Sequence, residues 1–374
     1  MDLLKASALL QGFRQVVLKS QNCIRNISPR SRCSCCSDVC PVNGVKLTSV
    51  GIIIEDCIGC GLCVGVCPGQ ALGLPTVDWI GETWGGGGGE IFFHCKKIKA
   101  ESQLNSRGIT VPCLGAVPVE CYVSLAANYS SVYLYQPQSC GQCEIKNGLP
   151  MFEASVESAK QLLQLFDVHE RLIIHSNEAL SGFLPGRETA RALDRRSFLS
   201  MIALNMRRAP AAIIEIATPV PGTVFSGNQL NRRKELISAL KQLALRASGS
   251  PPVSLPIITP QIQQPCYFCG ACAKLCPAGA LRQSEVADVV LLEINPSLCR
   301  ACNLCFNICP QGAIAFSPAV DTQDLLSEKF KILSAGEQKK CSNCESGYVA
   351  NSLAEVCLRC RFVAMRGEIK NPEV

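Results

Sequence analysis

Apolar and polar positions follow two rhythms along this chain. In residues 90–176 four short apolar runs recur, at 90–94, 108–112, 131–136 and 171–175, each the length of a strand. Between them, 119–127 and 151–166 carry apolar residues at helical spacing. In the second, Phe152, Val156, Ala159, Leu163 and Phe166 would make one face. Strand alternating with helix predicts a small parallel sheet with crossover helices. Further on, Leu236, Leu240 and Leu243 line one face of a helix in the basic, cysteine-free stretch 187–246. Its Arg232, Arg233 and Lys234 fall in the first turn, where the helix dipole disfavours cations; they pair with an acidic partner or the other domain, or lie on a solvated face, the blander expectation. The run of glycines at 85–89 and the Pro- and Ser-rich stretch 249–260 read as linkers.

Cysteine changes this picture more than any other residue. There are 26 in 374 residues. A disulfide framework belongs to short secreted chains, whereas these cysteines fall in cluster-binding spacings. That implies a reducing, oxygen-poor, cytoplasmic setting. No apolar run reaches the roughly 18 residues of a membrane span. Residues 1–20 read as an amphipathic helix rather than an export signal, because Asp2 and Lys5 interrupt any apolar core. The twin-arginine look-alike at 194–199 lies mid-chain and reads as structural. The net charge of +6 suits docking to acidic electron carriers, and no aromatic-interleaved basic motif points to nucleic acid. With three histidines, no nucleotide fingerprint and no nucleophile–base pair, no hydrolytic or group-transfer chemistry is indicated.

Residues 266–310 carry the sharpest signal. Cys266, Cys269, Cys272 and Cys276-Pro277 are followed by Cys299, Cys302, Cys305 and Cys309-Pro310, two runs of C-x2-C-x2-C-x3-C-P. Three thiolates two residues apart wrap one cubane in a turn of loop. The fourth lies a helical turn further and points to a second cubane. This stretch resembles the two-cluster bacterial ferredoxins. The resemblance implies one 4Fe-4S cluster on Cys266, Cys269, Cys272 and Cys309, and another on Cys299, Cys302, Cys305 and Cys276. A zinc site would need only four of these residues and no repeat.

Residues 23–68 look like a second, worn copy. Cys57, Cys60, Cys63 and Cys67-Pro68 form an intact run, and Cys40-Pro41 completes a third 4Fe-4S cluster with Cys57, Cys60 and Cys63. The fourth cluster has Cys33, Cys36 and Cys67, but Arg30 stands where the first thiolate belongs. Cys23 supplies the missing ligand if residues 24–32 loop out; Cys35 is the rival.

In the predicted sheet, Cys95 follows the first strand, Cys113 the second, and Cys140 and Cys143 the third. Loops at the carboxyl ends of parallel strands converge on one edge, so four thiolates gather there as a metal or cluster site. The sequence Phe93-His94-Cys95, then Val111-Pro112-Cys113-Leu114-Gly115, then Cys140-Gly-Gln-Cys143 is similar to the delta subunit of methyl-viologen-reducing hydrogenase. That resemblance, over 90–176, implies a 2Fe-2S cluster and electron passage between a hydrogenase or formate dehydrogenase and heterodisulfide reductase. The family has a cysteine pair where this chain has Phe92 and Cys95, which leaves its fourth ligand and cluster type open. His94 is expected to be a satisfied structural histidine, and Cys121 a buried helical one. In the tail, Cys341-Ser-Asn-Cys344 and Cys357-Leu-Arg-Cys360, twelve residues apart, read as paired knuckles for a tetrahedral thiolate site, most often zinc, with a single iron or another cluster as the alternatives.

The expected fold is α/β and multidomain: two ferredoxin-like (α+β) dicluster modules around a small parallel-sheet α/β domain, plus a C-terminal knuckle. The boundaries are a ferredoxin-like domain at 1–80, the α/β domain at 90–185, a basic helical linker at 186–258, a ferredoxin domain at 259–320 and the metal-binding tail at 335–366. The expected function is electron relay, as a subunit or partner of an anaerobic oxidoreductase, with dehydrogenase, hydrogenase or reductase subunits as partners. The alternative is a reductase whose middle cluster acts directly on a disulfide or sulfur oxyanion.

Overall fold

Parallel strands with aligned carboxyl ends set the frame of the molecule. The computed structural model describes residues 16–48, 51–73, 88–97, 108–176, 231–247 and 251–368. All of them fall within one compact unit drawn from Met1–Asn177 and Leu230–Val374. Of the expected N-terminal helix only residues 16–20 are described, and there Val17–Leu18 is a strand paired with Leu72–Gly73 rather than helix; the 194–199 motif lies outside the described residues.

The four apolar runs form one parallel sheet in the order Gly108–Val111, Glu90–Cys95, Ser131–Gln136, Leu172–Ser176. Alternation sorts its two faces. Ile91, Phe93, Val132 and Leu134 are buried in a core completed by helices Val119–Asn128 and Gly148–Gln164. On the opposite face, Phe92 stacks on Tyr133 at 5.0 Å between ring centroids, and Tyr133 continues to His175 at 5.4 Å. The helical face expected from Phe152, Val156, Ala159, Leu163 and Phe166 is buried throughout.

Helix Arg232–Arg246 does not behave as a linker. Leu236, Ile237, Leu240 and Leu243 enter the same core as the sheet, and Leu255, Val320 and Leu325 close over it. The expected 249–260 linker is likewise structured in part, since Ser254–Leu255 pairs with Val320–Asp321. Arg171 and Arg246 donate to the carbonyls of Ala126 and Ala127, both at 2.8 Å, so two cations meet the carbonyl end of helix Val119–Asn128.

The C-terminal module is framed by Thr259–Ile262 against Ile314–Ser317 and by the hairpin Leu281–Val286 with Val289–Ile294. Lys331–Lys340 adds to that hairpin, and Gly347–Ala350 adds to Lys331–Lys340. One antiparallel sheet therefore runs from the cluster motif into the tail, across the boundary expected between them. In the N-terminal module Val45–Thr48 pairs with Gly51–Ile54. No helix among the described residues is long and apolar enough to cross a membrane.

Candidate iron–sulfur sites

The ligand loops are built the same way wherever the motif is intact. In Cys57–Cys63, Cys266–Cys272 and Cys299–Cys305, the backbone turns left-handed just before and just after the second cysteine. The pairs are Gly59 and Gly61 (φ 67° and 79°), Phe268 and Gly270 (48° and 72°), and Ala301 and Asn303 (49° and 60°). Two left-handed residues around one cysteine curl the loop so that its sulfurs face a common centre. The worn run lacks this curl: Ser34, after Cys33, has φ −131°.

Every Cys-Pro closes with one further turn. The third residue after the cysteine is left-handed in all four: Asn43, Gln70, Gly279 and Gly312, with φ of 52°, 53°, 61° and 61°. That turn aims the next backbone N–H at the sulfur. Gly44 donates to Cys40 Sγ at 3.2 Å, and Ala71, Ala280 and Ala313 donate to Cys67, Cys276 and Cys309 at 3.3 Å. Such N–H groups favour charge on sulfur. Cys40 is thus held like its three counterparts although the run that contains it is worn.

Among the described residues, the cysteines act on one another's charge in local sets. Burial pushes the Cys272 thiol up to about 12, with Cys266, Cys269 and Cys309 adding to the effect. Burial also raises Cys305, next to Cys299, Cys302 and Cys276. Cys63 is pushed up to about 12 by burial and then by Cys60, Cys57, Cys36 and Cys40. Cys36 is pushed up to about 11 by burial, then by Cys67, Cys33 and Cys23. Cys23 is itself only 6% exposed. Cys35 is instead engaged with Cys33, sulfur to sulfur at 3.9 Å, a contact that lowers its own thiol to about 7.

At the sheet edge, burial pushes Cys113 up to about 12, with Cys140 and Cys95 contributing; burial raises Cys140, with Cys95 and Cys143 contributing. Cys113 and Cys140 thus feel Cys95, and Cys140 feels Cys143. A Cβ on Gly148 would come 2.8 Å from Cys113 Sγ, so a side chain there would crowd the sulfur. His94 is satisfied within the sheet: Nδ1 lies 3.2 Å from the Cys95 carbonyl and Nε2 3.3 Å from Thr110 Oγ1. Cys121 packs against the core from helix Val119–Asn128. In the tail, the sulfurs of Cys341, Cys344, Cys357 and Cys360 all lie within 4.8 Å of one another. The backbone N–H of Cys357 donates to Cys341 Sγ at 3.2 Å and is the main cause of a thiol lowered to about 6.

Cysteine thiols gathered in fours, several of them buried, are what a positively charged metal core would complete. Two of the groups wall apolar cavities. One is lined by Cys266, Cys269, Cys272 and Cys309, and one by Cys40, Cys57, Cys60 and Cys63. The donor sets therefore fit iron–sulfur clusters. The family model described as a 4Fe-4S dicluster domain matches residues 265–314, and that of a 4Fe-4S binding domain matches residues 50–73. Two stretches of the chain are thus similar to 4Fe-4S ferredoxin-type domains, which supports an iron–sulfur protein. Neither match extends into residues 90–176, and no curated protein matches the chain.

The first-turn arginines of helix Arg232–Arg246 escape the solvated face expected from sequence. Arg232 donates to the carbonyls of Val64, Gly65 and Cys67. Arg233, buried, donates to Ser297 at 3.1 Å and Pro296 at 2.8 Å. The unfavourable dipole at that helix end was the one signal in the sequence that marked them.

Proposed function

We propose that the chain is an electron relay whose sites form a single row. The observation that carries this is a set of contacts joining one cysteine group to the next. Cys113 and Cys60 share a buried cluster with Leu62. Cys63 and Cys36 share another. Cys33 and Cys302 both pack against Ile24, Leu304 and Ile308. The short helices that carry Cys272 and Cys305, Ala271–Lys274 and Leu304–Ile308, touch each other. Finally, Asn351 of the tail accepts from the Cys266 N–H at 3.0 Å and donates its own N–H to the Cys266 carbonyl at 3.0 Å.

In this reading Cys95, Cys113, Cys140 and Cys143 hold a 2Fe-2S cluster at one end. Four 4Fe-4S clusters follow, on Cys40, Cys57, Cys60 and Cys63; on Cys23, Cys33, Cys36 and Cys67; on Cys276, Cys299, Cys302 and Cys305; and on Cys266, Cys269, Cys272 and Cys309. Cys341, Cys344, Cys357 and Cys360 hold zinc beyond the last. Bound clusters of these types supply one-electron transfer. The protein's own share is the spacing of the ligand sets, the N–H groups on the Cys-Pro sulfurs and the exclusion of water from the inner groups. The units are 1–80, 90–185, 259–320 and 335–366. The resemblance of 90–176 to a hydrogenase delta subunit makes a hydrogenase or dehydrogenase subunit in the cytoplasm the partner at that end.

The test is anaerobic purification of the full chain, with iron, sulfide and EPR spectra measured together. Cys113→Ser should lose a 2Fe-2S signal and about two iron, while Cys121→Ser keeps both. A colourless Cys121→Ser protein would overturn the assignment.

A further inference from the structure

The junction between the Cys67 and Cys299 sites holds three arginines, none of them in an ion pair among the described residues. Arg232 and Arg233 come from one helix end, and Arg300 from the ligand loop itself. Arg300 donates to the Gly69 carbonyl at 3.3 Å, bridging the two modules, and its buried Nε has no partner. The charge of Glu120 reaches Arg233 from outside ion-pair distance.

Each placement is unfavourable taken alone. Arg232 and Arg233 sit in the first turn of a 15-residue helix, where the dipole repels cations. Arg233 is only 9% exposed, and a cation out of water needs a counter-charge. Hydrogen bonds to carbonyls recover only part of that loss. Besides Glu120 and Arg232, the charges that act on Arg233 and Arg300 are cysteine sulfurs. Arg233 is bonded to Ser297, two residues before Cys299, and feels the Cys299 charge. Arg300 lies between Cys299 and Cys302 in sequence, its partner Gly69 is two residues past Cys67, and it feels Cys302, Cys276 and Cys67.

We propose that Arg233 and Arg300 are positioning residues for electron affinity, raising the reduction potential of the site on Cys276, Cys299, Cys302 and Cys305 so that it is the electron sink inside the row. The inference rests on the iron–sulfur reading above. One electron taken up there adds one negative charge and calls for no proton. A fixed cation in a water-poor contact stabilises that charge, and net charge around a cluster is one of the levers on its potential. A guanidinium does not escape by losing its proton, so the effect persists across the working pH range.

The experiment is an EPR-monitored redox titration of the anaerobic full-length protein, with iron and sulfide counted first. The signal missing from a Cys302→Ser, Cys305→Ser protein identifies the site. Arg233→Gln and Arg300→Gln should each make its reduction at least tenfold less favourable, a fall of about 59 mV for one electron, with iron unchanged. Arg233→Lys should keep most of the wild-type value. Arg246→Gln, which loses a carbonyl hydrogen bond on the same helix far along from Arg233, should change nothing. The proposal fails if neither glutamine variant moves the midpoint, or if Arg246→Gln moves it equally. It also fails if Arg233→Gln sheds that site's iron while Arg300→Gln leaves the potential in place. A wild-type protein without clusters overturns the iron–sulfur reading and this inference together; full clusters with unmoved potentials overturn this inference alone.

Discussion

Cys60, in a ferredoxin-type loop, and Cys113, in the loop after a parallel strand, lie in one buried cluster with Leu62. They are far apart in sequence, and what lets them meet is the absence of side chains. A Cβ on Gly65 would stand 2.7 Å from the Ala116 carbonyl oxygen. Asn147 adds a hydrogen bond across the same seam, to the Val39 carbonyl at 3.2 Å.

Gly65→Val should therefore pry this seam open at a cost of about 1–3 kcal/mol. Both neighbouring sites should keep their iron, while the magnetic coupling between them, read as broadening of their EPR lines, weakens. Unchanged coupling in a folded, fully loaded variant would show that the two sites do not meet here.

Cys23→Ser should remove one 4Fe-4S cluster, about four iron per chain, because Cys23 shares its surroundings with Cys33, Cys36 and Cys67. Cys35→Ser should leave the iron count intact, since Cys35 engages Cys33 from the side. The reverse pattern, read by iron analysis of the two proteins, would make Cys35 the ligand.

Removing metal from the tail should loosen Gly347–Ala350 and Asn351, seen as faster amide exchange there, because a structural metal supplies folding free energy. The pH dependence follows from Cys341. Its thiol is lowered from 9.0 to about 6 in the folded tail. A lowered value means that the thiolate's contribution is complete above 9.0 and is lost as pH falls through about 6. Zinc retention should fall as the tail is acidified, because protons compete with the metal for the four sulfurs. Retention that is flat from neutral pH well into the acid range would argue against a thiolate site.

Leu240→Ala should cost about 2–5 kcal/mol, because Leu240 is fully buried in the core shared by helix Arg232–Arg246 and the parallel sheet. Thermal unfolding checks it. A loss below about 1 kcal/mol, normal for surface positions, would mean the helix is peripheral after all.

Much of this protein was legible from residue order, because a ligand loop is local. Three thiolates two residues apart, with glycine or asparagine beside the second, already dictate a curl around one centre. The Cys-Pro ending dictates the turn that sends an N–H back to sulfur. The sheet was legible for a related reason: its apolar runs and crossover helices are each set by side chains a few residues apart. What residue order left open was every choice between distant candidates. From residue order Cys23 is the expected partner for Cys33 and Cys36, with Cys35 its rival. In the fold Cys23 is buried just before a four-residue helix, Ile24–Ile27, while Cys35 lies 3.9 Å from Cys33, sulfur to sulfur. Arg232 and Arg233 likewise read as solvated charges until the two modules close around them. Their hydrogen bonds reach residues more than sixty positions away. Spacing along the chain determined which cysteines curl together. Only the tertiary structure decided which groups become neighbours and which charges stand between them, because those depend on how separately formed units pack and on what water they exclude.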